Sequence, residues 1–361
     1  MAPLHPRLQR LYRRDHVTPV SFVASSRFLM QAHRIAAYGI VASVRLGSTI
    51  QKNPFIYALW LLVTLSSCQQ TPGFDEANWQ KEHATWREER RAELLGERGW
   101  AKVSGMDWLE QGSYRIGSAS DNDIILAAGS APAYVGTISL LEAQGTLESD
   151  STMVVQFTAH PDAEIWQDSS RVQAMTMLPD YTGDQTILRT GSVQLGIIRR
   201  GGKLALRTWD DQAESFTGFH DIPSYPLEAA WIVKGIFKRH KTPKSIDLLN
   251  IIGITEANPS DGYLEFEWQG STYTLDVVAK PSDTELFVIF GDPTNLKETY
   301  GAGRYLYVDR ADTLASETPV ILDFNKAYNP PCAFTAYATC PLPPDQNKLP
   351  FKVTAGEKRY H

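Results

Sequence analysis

The residues best equipped for chemistry lie in one stretch, Glu298 to Lys358. Arg304 stands among Tyr300, Tyr305 and Tyr307, and a planar guanidinium can grip a carboxylate or phosphate through two parallel hydrogen bonds. Gly301 and Gly303 flank Ala302 just ahead of it and permit close backbone approach or positive φ. The same residues allow a plainer reading, in which Arg304 forms a structural ion pair with Glu298 or Asp323. The Gly-x-Gly here is no nucleotide signature, because the third glycine and the strand-to-helix context are missing. As a binding site, Arg304 would hold an anionic or polyol group, with Tyr300, Tyr305, Asn325, Tyr328 and Asn329 around it.

An enzyme could be built from the same stretch. Cys332 or Cys340 would serve as nucleophile, or Glu298 and Asp323 as an acid and base pair, giving a hydrolase-type reaction. A thiol nucleophile needs a base, and the stretch holds no histidine; His220 and His361 are the candidates elsewhere in the chain. No cluster has metal-ligand spacing, so neither a metal nor another cofactor is expected. A third reading makes the stretch a structural plug in an envelope protein.

These residues need a scaffold to hold them. Leu286 to Phe290 and Val320 to Leu322 read as buried strands on either side of the glycines. Pro330, Pro331, Pro341, Pro343, Pro344 and Pro350 forbid helix or central strand across most of the chain beyond them. A long aromatic loop must then be tied by side chains, and Asp323, Asn325, Asn329 and Asn347 are the types that bond backbone groups.

The rest of the chain reads as mainly β, with antiparallel β-barrel or β-sandwich portions and an N-terminal helix. Trp79, His83, Trp86, Arg90 and Leu94 recur at three- and four-residue spacing, which predicts a helix over Asp75 to Glu97 docked through that stripe. Gly96 and Gly99 supply its stop signals. Residues 98–165 read as a small β-sandwich-like portion. Its YRIGSASDNDIIL run resembles the opening of a forkhead-associated domain, but the phosphothreonine-binding residues of that domain are not matched. A polar stretch over 160–186 reads as a connector or excursion between two β-rich portions, and residues 187–361 as a barrel or sandwich carrying the motif loop. Within them Gly201-Gly202 predicts a hairpin, and turns are expected at Asn258–Gly262 and Gln269–Ser271. The basic run Lys234–Lys244 reads as a solvated strand and turn, ahead of a specific anion surface.

The N-terminal region carries an address. Lys52 precedes the apolar run PFIYALWLLVTL, too short to span a bilayer, and this leads into Leu65-Ser66-Ser67-Cys68. The run resembles a bacterial lipoprotein signal peptide over 51–68, with Cys68 lipidated and a polar tether beginning at 69 ahead of the helix that ends by 97. Residues 1–50 show no fold pattern; either translation starts near Val44, Leu46 or Ile50, or the signal peptide carries an unusually long n-region, and they are left out of fold reasoning. The protein is thus expected in the bacterial cell envelope, facing the periplasm and held to the membrane by the Cys68 lipid. Of the 3 cysteines, Cys68 then leaves Cys332 and Cys340 as a pair. A disulfide, two buried thiols, and a reactive or metal-binding thiol all remain open.

A net charge of -6 excludes a general nucleic-acid binder, since no basic field is available to neutralise phosphates. The motifs themselves resemble those of the domain-of-unknown-function family numbered 1684. Thr299 to Arg304 resembles its Thr-Tyr-Gly-x-Gly-Arg motif, Asp323 to Thr335 its Asp-Phe-Asn-x-Ala-Tyr-Asn-Pro-Pro-Cys-Ala-Phe-Thr motif, Ala338 to Asn347 its proline-rich run, and Ala355 to Lys358 its closing Ala-Gly-Glu-Lys. The resemblance implies a location for the site and no reaction. The favoured function is an envelope lipoprotein binding a small anionic or polyol ligand, ahead of a hydrolase and a structural protein.

Overall fold

The computed structural model describes residues 74–142 and 153–361. The expected start, signal peptide, lipidated Cys68 and first residues of the tether lie outside the described residues. From Ala77 onward the chain belongs to one unit.

Helix α1 spans Glu76–Leu95. The segment contains no glycine or proline and one β-branched residue, Thr85, so little opposes the helix, and Glu76 sits in the first turn where the helix dipole favours an acid. Trp79, His83, Arg90 and Leu94 form its buried face, as the spacing predicts. Gly99 closes the turn beyond it: a Cβ there would come within 2.2 Å of the Leu94 carbonyl oxygen.

The next strands are β1 (Val103–Trp108), β2 (Gly112–Gly117), β3 (Ile124–Ile125), β4 (Gly136–Glu142), β5 (Met153–Ala159), β6 (Trp166–Gln167), β7 (Ser170–Arg171), β8 (Ala174–Met177), β9 (Ile187–Thr190), β10 (Val193–Arg200) and β11 (Lys203–Asp210). They form a six-stranded sheet in the order β1-β11-β10-β9-β6-β7 and a five-stranded sheet in the order β3-β2-β4-β5-β8. Side chains from both sheets, among them Ile116, Ile138 and Phe157 with Leu195, Ile197 and Leu206, share one core. The predicted Gly201-Gly202 hairpin is β10–β11, with φ of 55° and 77° at the two glycines. Although expected within the 187–361 portion, this hairpin hydrogen-bonds to β1. The polar 160–186 stretch carries β6, β7 and β8. β7 and β8 are edge strands of the two sheets, β6 joins β7 to β9, and Ile165 and Met177 reach the core.

The second half contributes β12 (Ile232–Leu249), β13 (Thr255–Trp268), β14 (Ser271–Asp276), β15 (Glu285–Phe290), β16 (Arg304–Asp309) and β17 (Glu317–Asp323). The order β14-β13-β12-β17 makes one sheet, and β15-β16 makes a two-stranded ladder beside it. Phe237, Leu264, Phe266 and Leu322 of the larger sheet pack with Leu286, Val288, Phe290 and Leu306 of the ladder. These sheets do not close by hydrogen bonding, so the arrangement among the described residues is sandwich-like and not a barrel.

The expected turn at Asn258–Gly262 is instead strand. β13 runs through it, pairing Ser245 with Pro259 and Arg239 with Gly262. The extra residues are absorbed by β12, whose register jumps between Arg239 and Lys244; a bulge is where a strand tolerates proline. Asp261 stabilises the bulge by accepting hydrogen bonds from Arg239 at 3.0–3.1 Å and from Arg310. The long β12–β13 hairpin reaches the motif segment, where Asn250 bridges to Pro341 and the Leu342 N–H donates to the Leu249 carbonyl at 2.8 Å.

Candidate functional site

Arg304 begins β16 opposite Phe290 and is wholly buried. One guanidinium nitrogen donates to Asp292 Oδ1 at 3.2 Å and to the Val353 carbonyl at 2.8 Å, and the other donates to the Ala355 carbonyl. Its ion-pair partner is Asp292, in place of the expected Glu298 or Asp323. Asp292 is equally buried and also accepts from the Val353 N–H at 2.7 Å and the Thr294 hydroxyl at 2.8 Å. The pair thus clasps the C-terminal segment to the end of the β15–β16 ladder, and the guanidinium has no exposed surface to offer a ligand.

Glu298 and Asp323 share no partner. Glu298 accepts from Lys352 at 2.8 Å and from the Tyr225 hydroxyl at 2.9 Å. These two bonds, Lys352 first, hold its carboxyl below the usual range. Asp323 accepts from Trp79 Nε1 at 3.0 Å and from the Asn325 backbone and side chain. One carboxylate fastens a loop, and the other docks α1.

Most of the remaining candidates also act as ties. Asn325 exchanges two hydrogen bonds with the Glu228 backbone, and its own carbonyl meets His83 Nε2 at 3.0 Å. Asn329 donates to the Lys358 carbonyl at 2.8 Å, while its backbone N–H reaches Glu357 and its carbonyl accepts from Arg90. Tyr328 and Tyr305 exchange backbone hydrogen bonds, Arg90 lies 4.6 Å above the Tyr328 ring, and the Tyr305 hydroxyl donates to the Pro341 carbonyl. Tyr300 donates to the Cys332 carbonyl at 3.1 Å, and burial pushes its phenol up to about 12. Asn347 completes the series, bonding Asp276 on both sides and the Ile289 carbonyl. The loop is tied by asparagines as its composition predicts.

Cys332 and Cys340 are brought together as free thiols. The Cys332 N–H donates to Cys340 Sγ at 3.1 Å. Their neighbourhood includes Arg207, whose guanidinium donates to the Tyr337 carbonyl and lies 5.0 Å above the Trp100 ring. His220 and His361, the candidate bases, both pack on the Tyr360 ring.

The open space of the site lies beside this tied segment. A groove of about 890 Å³ runs between the β12–β13 hairpin and the motif. Gly301, Ala302, Gly303, Pro343 and Pro344 form one wall, and His240, Lys244 and Asp247 from β12 form the other. Gly303 has φ of 88°, and a Cβ on it would lie 2.4 Å from Pro343 Cγ and 2.6 Å from the Phe290 carbonyl oxygen. Glycine there lets the two halves of the motif touch. Burial, followed by the Lys244 charge, lowers the His240 pKa.

Sequence reasoning gave Asp292 and Arg207 no role, placed Arg90 only on the docking stripe of the helix, and met His240 and Lys244 only within the Lys234–Lys244 run. The last two belong to the basic run read as a solvated strand; the bulge turns them toward the groove. Their clustering in that run was the available signal, whereas Arg207 meets Tyr337, and Asp292 meets Val353, from distant segments. Among the described residues, no group of His, Cys, Asp and Glu is arranged to hold a metal ion.

Comparison with known proteins agrees with the motif resemblance. A family described as "Protein of unknown function (DUF1684)" matches residues 217–358. A solution NMR structure of an uncharacterized protein from Haloarcula marismortui is 31% identical, covering 39% of this chain and 78% of its own, with a TM-score of 0.34. No curated protein matches the chain.

Proposed function

Since the chain belongs to the DUF1684 family of proteins of unknown function, we propose from the groove itself that the protein binds a small anionic polyol between the β12–β13 hairpin and the motif segment. The observation that carries this reading is that the motif's glycines and prolines, Gly301, Gly303, Pro343 and Pro344, wall a groove of about 890 Å³. That volume falls in the range of roughly 300–1,000 Å³ common to small-molecule sites. His240 and Lys244 meet at one wall closely enough for the lysine to disfavour imidazole protonation. An anionic group seated beside them relieves that repulsion. Asp247, Asp276 and Asp345 supply acceptors for hydroxyl groups along the same groove.

Arg304 has an indirect part in this reading, because it holds Val353, Ala355 and Asp292 and so fixes the wall from behind. Calorimetric titration with glucose 6-phosphate, glucuronate and sorbitol tests the proposal. The charged sugars bind more tightly than sorbitol, and Lys244→Ala weakens them by about tenfold, the equivalent of about 1.4 kcal/mol. Equal affinity in wild type and Lys244→Ala contradicts it. The Leu-Ser-Ser-Cys motif further supports a place at the cell envelope through a lipid on Cys68. Membrane fractionation checks this: Cys68→Ala leaves the membrane fraction, whereas a wild-type protein already absent from that fraction rules the anchor out.

A further inference from the structure

Neither the groove nor the ties explain Cys332 and Cys340. They are eight residues apart, yet the Cys332 N–H reaches Cys340 Sγ at 3.1 Å. With an N–Cα bond of about 1.46 Å, this puts Cys340 Sγ no more than about 4.6 Å from Cys332 Cα, a separation suited to a disulfide. The placement is braced on every side. Tyr300 holds the Cys332 carbonyl, Tyr305 holds the Pro341 carbonyl, Thr335 donates to the Val103 carbonyl, and Arg207 donates to the Tyr337 carbonyl. The segment between the cysteines is therefore pinned to β1 and β11 of the first sandwich, with its two ends side by side.

The two sulfurs differ. Cys332 is half-buried, and Cys340 is buried. A hydrogen bond from Cys340 pulls the Cys332 thiol down, and the Arg207 charge acts in the same direction. Burial pushes the Cys340 thiol well up. A reactive cysteine sits in an electropositive, partly exposed place, whereas a buried one is inert until a neighbour engages it.

We propose that Cys332 and Cys340 are a redox-active dithiol that reduces a disulfide substrate, with Cys332 as the attacking thiol and Cys340 as the resolving thiol. The Cys332 thiolate attacks one sulfur of the substrate disulfide; that S–S bond breaks, and its other half leaves as a thiolate that takes a proton from solvent. Cys340 gives up its proton and attacks Cys332 Sγ, so the mixed disulfide breaks and the second half leaves as a thiol. The protein loses two electrons and gains the Cys332–Cys340 bond, and the substrate gains two electrons and two protons. This site is separate from the groove, and its failure leaves the ligand-binding reading untouched.

The test uses the full chain, glutathione disulfide as the probe, alkylation to quench, and tryptic mass mapping. Cleavage after Lys326 and Lys348 isolates both cysteines in one peptide, Ala327–Lys348, free of Cys68. The wild-type peptide is expected to lose both alkylation sites together and two hydrogen masses. Cys340→Ser is expected to stall as a glutathione adduct on Cys332, and Cys332→Ser to react at least about tenfold more slowly, as a buried thiol does. A wild-type peptide that stays doubly alkylated in excess glutathione disulfide overturns the proposal. So do equal rates for the two variants. The wild-type result needs no substitution and stands if either variant fails to fold.

Discussion

Removing the Arg304 guanidinium would leave Asp292 wholly buried with its charge uncompensated. Breaking one half of such a pair typically costs about 3–5 kcal/mol, so Arg304→Ala should lower the urea midpoint accordingly, and a variant as stable as wild type would contradict the clasp. Gly303→Ala meets two obstacles, a φ of 88° and contacts of 2.4 and 2.6 Å at the new Cβ. Strain of this kind costs about 1–3 kcal/mol, which thermal unfolding would register. At this scale the sequence was legible in its residue types and illegible in their partners. The loop's asparagines advertised their role as ties, because short amides bond backbone wherever they are buried. The partner of Arg304 could not be read in the same way: Asp292 is close in the chain, but Val353 and Ala355 lie about fifty positions away, and nothing in a local pattern links them.

Helix α1 shows what a local pattern does reveal. Its three- and four-residue stripe marked the buried face, and the stripe is bonded to the motif through Trp79 to Asp323, His83 to Asn325, and Arg90 to Glu357 and Asn329. Burial, the largest influence, lowers the His83 pKa from its ordinary value of 6.5. The folded protein therefore binds fewer protons there than the unfolded chain once the pH falls below about 6.5. His83 thus contributes stability that is present at neutral pH and lost as the pH falls toward its folded pKa. Urea midpoints compared at neutral and mildly acidic pH should fall more in wild type than in His83→Gln, and an equal fall in both would place the sensitivity elsewhere. The β12–β13 hairpin was less legible. Asn258, Pro259 and Gly262 are turn residues by composition, but the bulge in β12 and the Asp261 bonds to Arg239 and Arg310 keep the strand running. Tertiary pairing outweighed local turn chemistry there.

Across the whole molecule, the two sandwiches and the helix converge on the motif segment. The first sandwich meets it through Thr335 and Arg207, α1 through its buried stripe, and the second through the Arg304–Asp292 clasp. Alternating strands and glycine turns made the mainly β character readable. Whether the sheets close into a barrel depends on hydrogen bonds between distant edges, which alternation does not encode. The segment was also recognisable as the centre of the protein, although Arg304, Asn325, Asn329 and Asn347 turned out to be buried, while Asp345 and Lys348 line the groove. His240 reports directly on that groove, because the imidazole lines it beside Lys244. The direct measurement is an NMR pH titration of His240, assigned with His240→Gln, in the absence and presence of glucose 6-phosphate. Binding in the groove predicts a saturable rise in the His240 pKa that is weakened in Ala302→Trp, which places an indole on the groove's lining. An unchanged titration, or the same rise in Ala302→Trp, would contradict it.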